Sequence, residues 1–209
     1  MTELQPVVYV VDDEPGVRAY LAALLSTRAY RVIALASVEE LLQHGAPEGP
    51  GCLILDVFLA GLSGLDAQQI LMDTFRHLPI IFITGQGSIP MSVQAMRAGA
   101  VDFLTKPFGG EQLWPAVERA VDLSKQICTE RVEQRELEHR LRRLTPREIE
   151  VLRLVAVGKL NKQIAAELDI VEKTVKVHRS RGMQKLGMRS VTDLVRVADK
   201  LDQFSQQSS

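Results

Sequence analysis

The most constraining stretch of the chain is VVYVVDDEPG, residues 7–16. Five successive apolar residues fit a strand buried on both faces, as in the interior of a parallel sheet, yet the run ends in two adjacent carboxylates. Ionised carboxylates at the mouth of a core repel each other and lose solvation. The chain must therefore bring a cation or hydrogen-bond donors to that point.

Similar apolar runs recur through the first 120 residues. Strands are predicted at 7–11, 31–35, 52–55, 79–84 and 102–104, and the segments between them carry apolar residues at helical spacing, as in Val17, Tyr20, Leu21 and Leu24. Five βα units predict an α/β doubly wound fold with a five-stranded parallel sheet. Ligands of such sheets sit beyond the C-terminal ends of the strands, near the point where strand order reverses. That rule gathers Asp12 and Asp13 after strand one, Asp56 after strand three, Thr84 after strand four, and Lys106 with Pro107 after strand five. A hard divalent cation suits the three carboxylates, because Mg²⁺ prefers a few carboxylate oxygens and keeps waters or phosphate oxygens. Lys106 adds a second positive charge.

Charge divides the chain. Residues 1–120 hold 7 of the 25 Lys and Arg and 13 of the 26 Asp and Glu, a net −6, which leaves +5 for the remainder. An acidic front suits a cation site and a basic rear suits a polyanion such as DNA, although a solvated charged face is the plainer reading of either. With 46 % hydrophobic residues, no run of eighteen apolar residues and no secretory leader, the expectation is a cytoplasmic protein with no membrane partner. Cys52 and Cys128 lack metal-ligand spacing and read as core residues.

Residues 117–143 carry no Gly or Pro and many charges at helical spacing, which predicts one long linking helix. Val117, Val121, Ile127 and Cys128 could face a partner near its start, and the second half reads as solvated spacer. Structure restarts at LTPREIEVLRL, where Thr145 and Glu148 form a capping box with Pro146 at the first helical position. Gly158 ends that helix. Further helices are predicted at 161–168, 172–186 and 191–201, the last behind a second capping box of Ser190 and Asp193, with a frayed QQSS tail. Four helices in this length make a small all-α domain. The expected division is 1–120, a helical linker 121–143, and 144–209.

On the helix 172–186, Val175, Gly182 and Leu186 share one stripe, while Lys173, Lys176, Val177 and Ser180 lie opposite with Arg179 and Arg181 flanking. A small basic exposed face behind a short helix is what a major-groove reader needs.

These motifs carry a family resemblance. DD at 12 and 13, the ILD ending in Asp56, LSGLD from Leu62, FITGQG from Phe82 and AGAVDFLTKPF from Ala98 resemble the flavodoxin-like receiver domain of two-component response regulators. LTPREIEVLRLVAVGKLNKQIAAELDIVEKTVKVHRSRGMQKLGMRS is similar to the LuxR-type helix-turn-helix. The whole resembles the NarL/FixJ family. The resemblance implies that Asp56 accepts a phosphoryl group from a sensor histidine kinase. Asp13, Asp56 and the Phe58 carbonyl would hold Mg²⁺, with Asp12 reaching it through water. Thr84 would turn onto the phosphate, Phe103 would rotate inward as a switch, and the Lys106–Pro107 bond would be cis. It also implies homodimerisation on phosphorylation and binding to promoter DNA, with RNA polymerase as a further partner. Lys176, Val177 and Ser180 would approach base edges, while Lys162, Lys173, Thr174 and Arg179 would hold phosphates.

The chain departs from the family pattern in places. Leu59 and Ala60 replace a usual Met-Pro pair after Asp56, and Gln86 and Ser88 stand at variable positions. Val171 takes the place of a capping Ser, and Gly182 takes a core position usually held by Ile or Val. Each of the last two should weaken its helix by about 1 kcal/mol, so Gly182→Val is expected to fill space and stabilise. A dinucleotide-dependent enzyme is disfavoured, because the first turn carries DDEPG where a Gly-rich G-x-G-x-x-G is needed. A phosphorylation-independent regulator, controlled by a ligand or partner protein, is the alternative.

Overall fold

The structure is a computed structural model that describes residues 5–28, 30–45, 47, 49–60 and 63–207, with side chains as far as residue 203. Leu62, which opens one of the motifs above, lies outside the described residues. Two compact units divide at Glu130 and Arg131.

In the first unit, strands β1 (Val7–Val11), β2 (Arg31–Leu35), β3 (Gly51–Asp56), β4 (Ile80–Thr84) and β5 (Asp102–Thr105) alternate with helices α1 (Pro15–Ser26), α2 (Val38–His44), α3 (Gly64–Thr74) and α4 (Ile89–Arg97). Helix α5 (Gly110–Leu141) follows. The strands pair in parallel in the order β2-β1-β3-β4-β5, so the chain reverses direction across the sheet between β1 and β3. The inner strands β1, β3 and β4 are buried throughout, as their unbroken apolar sequences require, whereas the edge strands are only partly covered. Alternation along β1 sends Tyr9 and Val11 to one face, with Leu41, Ala67, Leu71 and Ala95 of α2, α3 and α4. Val8 and Val10 go to the other, with Leu21 and Leu25 of α1 and Leu113 and Val117 of α5. Burying a side chain of this size contributes roughly 1.5–3 kcal/mol, so the two layers fix the sheet edge firmly.

Helix α5 departs from the expected linker in two respects. It begins seven residues earlier and runs through Pro115. Interior proline costs about 3 kcal/mol, and burial of Leu113, Ala116, Val117, Ala120 and Val121 against the sheet offsets that loss. Val117 and Val121 are accordingly core residues and do not face a partner. Ser124 on the same helix is buried, accepts from the Gly51 amide at 3.0 Å and donates to the His77 carbonyl, which holds the helix to the lower edge of the sheet.

The second unit comprises α6 (Pro146–Ala156), α7 (Asn161–Glu167), α8 (Glu172–Leu186), α9 (Val191–Val195) and α10 (Ala198–Gln207). Both capping boxes form: Thr145 accepts from the Glu148 amide while Glu148 accepts from the Thr145 amide, and Ser190 and Asp193 do the same. Gly158 closes α6 with φ of 84°, a left-handed backbone that favours glycine. Leu152, Val155, Ile164, Val175, Leu186, Leu194 and Leu201 make the core. The single helix expected at 191–201 is divided into α9 and α10. Around Arg196 the bonds tighten, and Val197 N donates to Leu194 O three residues back. Val191, Leu194, Val195 and Ala198 recur at helical spacing here, but only Leu194 is fully buried, and Val195 is exposed. The tail is helical as far as Gln207, while Ser208 and Ser209 lie outside the described residues.

Candidate functional site

The first site lies where β1 and β3 end side by side, at the reversal of strand order. Asp12 is fully buried. One of its oxygens accepts from Lys106 Nζ at 2.7 Å and the other from the Glu14 amide at 2.9 Å. Asp56 is also buried; it accepts from Lys106 Nζ at 2.8 Å and from the Phe58 amide at 3.2 Å. Asp13 is exposed beside them, and carboxylate oxygens of all three aspartates lie within 4.8 Å of one another. Lys106 answers the opening problem in part, since a single ammonium bridges the two buried carboxylates of the three.

The surroundings set the protonation of the pair. Burial pushes the Asp56 carboxyl above the usual carboxylate range, against the opposing pull of Lys106 and the Phe58 amide. Burial alone would lower the Lys106 ammonium, but its bonds to Asp12 and Asp56 hold it above its ordinary value. The Lys106 amide donates to Thr84 O at 2.7 Å, and the Lys106–Pro107 bond is cis. Thr84 is fully buried at the end of β4, and its hydroxyl accepts from the Gln86 amide at 3.2 Å. Phe103 is half-buried on β5, opposite Phe82 in register and with ring centroids 6.4 Å apart. The Phe58 side chain is half exposed at the rim. Sequence reasoning missed Arg18, whose guanidinium donates to Asp12 O at 2.6 Å. It lies one helical turn beyond Glu14, and counting that turn from the strand end finds it.

An oxygen-rich set of this kind fits a hard divalent cation, because three carboxylates opposed by one ammonium leave anionic oxygen to spare. A buried carboxylate flanked by an ammonium also has the electrostatics to receive an anionic phosphoryl group.

The second candidate surface is α8. Lys173, Lys176, Val177, Ser180, Arg181 and Gln184 are exposed along it, while Val175, Gly182 and Leu186 are buried. Gln184 extends the face one turn beyond Ser180, past the residues that the sequence singled out. Lys162 is exposed on α7 and Thr174 is half-buried. Arg179 donates to Asn161 Oδ1 at 3.1 Å, which ties α8 to α7, and Lys176 pairs with Glu172 at 3.2 Å. Val171 caps α8 without any side-chain bond. Gly182 overturns one expectation: a Cβ there would lie 2.8 Å from Cδ1 of Leu152, so no space awaits a larger residue.

The family described as response regulator receiver domain matches residues 8–118, and the family described as bacterial regulatory proteins, luxR family, matches residues 142–198. The chain is a two-component response regulator of the NarL/FixJ family. The regulator is 44 % identical to nodulation protein W of Bradyrhizobium diazoefficiens over 195 residues, 93 % of this chain and 86 % of that one. It is 38 % identical to the transcriptional regulatory protein FixJ of Rhizobium meliloti, over 91 % of this chain and 94 % of that one. Among solved structures, the response regulator StyR matches with a TM-score of 0.84 at 44 % identity, covering 94 % of the regulator and all of StyR. The regulator thus joins a receiver domain to a LuxR-type DNA-binding domain. Among the described residues, no helix is long and apolar enough to cross a membrane.

Proposed function

We propose that the regulator accepts a phosphoryl group on Asp56 from a sensor histidine kinase and, once phosphorylated, dimerises and binds promoter DNA to control transcription. The observation that carries this reading is Lys106 Nζ held between Asp12 and Asp56 at 2.7 and 2.8 Å, with Asp13 beside them. An Asp56 oxygen attacks the phosphorus, the bond to the kinase histidine nitrogen breaks, and an acyl phosphate remains. Asp13, Asp56 and the Phe58 carbonyl would hold Mg²⁺, and Asp12 would reach it through water. Bound there, the ion would neutralise phosphoryl oxygens, as phosphoryl transfer requires. Lys106 supplies the second positive charge to the same oxygens, and Thr84 turns its hydroxyl onto the new phosphate, with Phe103 following inward. Such self-phosphorylation and its reversal are the only catalysis assigned.

The rear unit reads DNA through α8. Lys176, Val177 and Ser180 approach base edges, while Lys162, Lys173, Thr174 and Arg179 hold phosphates. RNA polymerase is the partner at the promoter, and the protein works in the cytoplasm. The receiver spans 1–120, the linker 121–143 and the DNA-binding domain 144–209. Asp56→Asn keeps the shape of the site and removes the nucleophilic oxygen, so labelling by acetyl phosphate with Mg²⁺ should vanish while the fold persists. Equal labelling of the variant and the wild type would overturn the assignment.

A further inference from the structure

Gly87 lies in the loop between β4 and α4, three residues beyond Thr84. Its backbone does not demand glycine, since the positive-φ glycines among the described residues are Gly45, Gly99, Gly158 and Gly187. What glycine provides at 87 is space. A Cβ built there would stand 3.1 Å from Thr84 Cγ2, 3.2 Å from Phe103 Cε1 and 3.2 Å from Thr105 Oγ1, each closer than ordinary van der Waals contact. Gly85 belongs to the same loop, and a Cβ there would meet nothing within 4 Å. The crowding is therefore particular to position 87.

The loop also holds the other branch of Thr84. The Thr84 hydroxyl accepts from the Gln86 amide, while the methyl faces Gly87. Threonine side chains occupy staggered rotamers, so turning the hydroxyl elsewhere requires the methyl to move as well. The space at Gly87 that borders this methyl also borders the Phe103 ring.

We propose that Gly87 is a positioning residue for the phosphorylation response: its missing side chain leaves the room in which Thr84 and Phe103 rearrange together. A methyl at 87 breaks the link between a phosphate on Asp56 and the face carrying Phe103. It leaves the chemistry alone, because the bonds described for Asp12, Asp56 and Lys106 do not involve this residue. The inference rests on the reading of Thr84 and Phe103 as the switch.

The test uses the full chain as wild type, Gly87→Ala and Gly85→Ala, each treated with Mg²⁺ and acetyl phosphate. Two quantities are measured: phosphate bound per chain, and the shift in sedimentation that phosphate produces. All three proteins should take up phosphate equally, wild type and Gly85→Ala should shift, and Gly87→Ala should not. A wild-type shift in Gly87→Ala overturns the inference. So does its failure to take up phosphate, which would place Gly87 in the fold or the chemistry. Loss of the shift in Gly85→Ala as well overturns it, since loop stiffness would then be the cause. If wild type takes up phosphate and does not shift, the switch reading itself fails and the inference falls with it. If wild type takes up none, the phosphoacceptor assignment has failed.

Discussion

Gly182 falls on the buried stripe of α8 together with Val175 and Leu186, and Leu152 of α6 decides what a larger residue does there. Leu152 is fully buried, so its methyl cannot retreat without displacing neighbours. Helix propensity gains only about 0.3–0.5 kcal/mol when glycine is replaced by valine, but overpacking a tight core costs about 1–3 kcal/mol. Gly182→Val should therefore lower the melting temperature of the rear unit, the reverse of what helical spacing alone predicts. Val171 behaves differently, because its backbone is already extended and its side chain is exposed. Val171→Ser should supply the missing acceptor to the first turn of α8 and stabilise by about 1 kcal/mol. Thermal melts of the two variants in the full chain check both signs, and a Gly182→Val protein that melts higher than wild type would show that Leu152 has room to move. The contrast explains what single residues disclose in a sequence. Asp12, Asp56 and Lys106 were legible because strand ends place them by rule, whereas the pairing of Gly182 with Leu152 joins residues thirty apart and leaves no local sign.

At the scale of elements, strands and caps were legible and interruptions were not. Each strand was found within a residue or so at either end; for β1, β3 and β4 the apolar run is set by burial on both faces. Pro115 within α5 and the division between α9 and α10 were missed, because packing against the rest of the unit overrides local propensity there. The capping box of α6 has a further consequence. Glu148 is buried and also accepts from Lys185 Nζ at 2.6 Å, which joins α6 to α8. Burial alone would raise its carboxyl, but Lys185 and Thr145 together hold it below the usual range. A carboxylate depressed by folding stabilises the folded state at pH above its unfolded value, and that contribution fades as pH falls through the folded one. Glu148→Gln should thus destabilise the full chain at neutral pH, and the difference from wild type should shrink as acid is added. A difference that stays constant down to acid pH would assign the loss to packing and not to charge.

For the whole molecule, the opposed charges of the two halves, −6 over residues 1–120 and +5 beyond, bear on how DNA affinity is gained. One rear unit offers a short reading helix, and a single small module buries little surface on DNA. Two modules joined through their receivers make the second contact intramolecular, which raises affinity without any new kind of contact. Salt dependence tells this apart from a change within one module. Each phosphate neutralised contributes about −0.9 to the slope of log affinity against log salt, so the slope counts contacts. If phosphorylation acts by pairing, the phosphorylated protein should show about twice the slope of Asp56→Asn on the same duplex, one selected from a random-sequence pool. Lys173→Gln, which removes one exposed ammonium per module, should then lower the slope by about two in the paired state and by about one in the single state. An affinity that rises on phosphorylation with an unchanged slope would mean that the phosphate releases or reorients one module, and the pairing argument would give way to that.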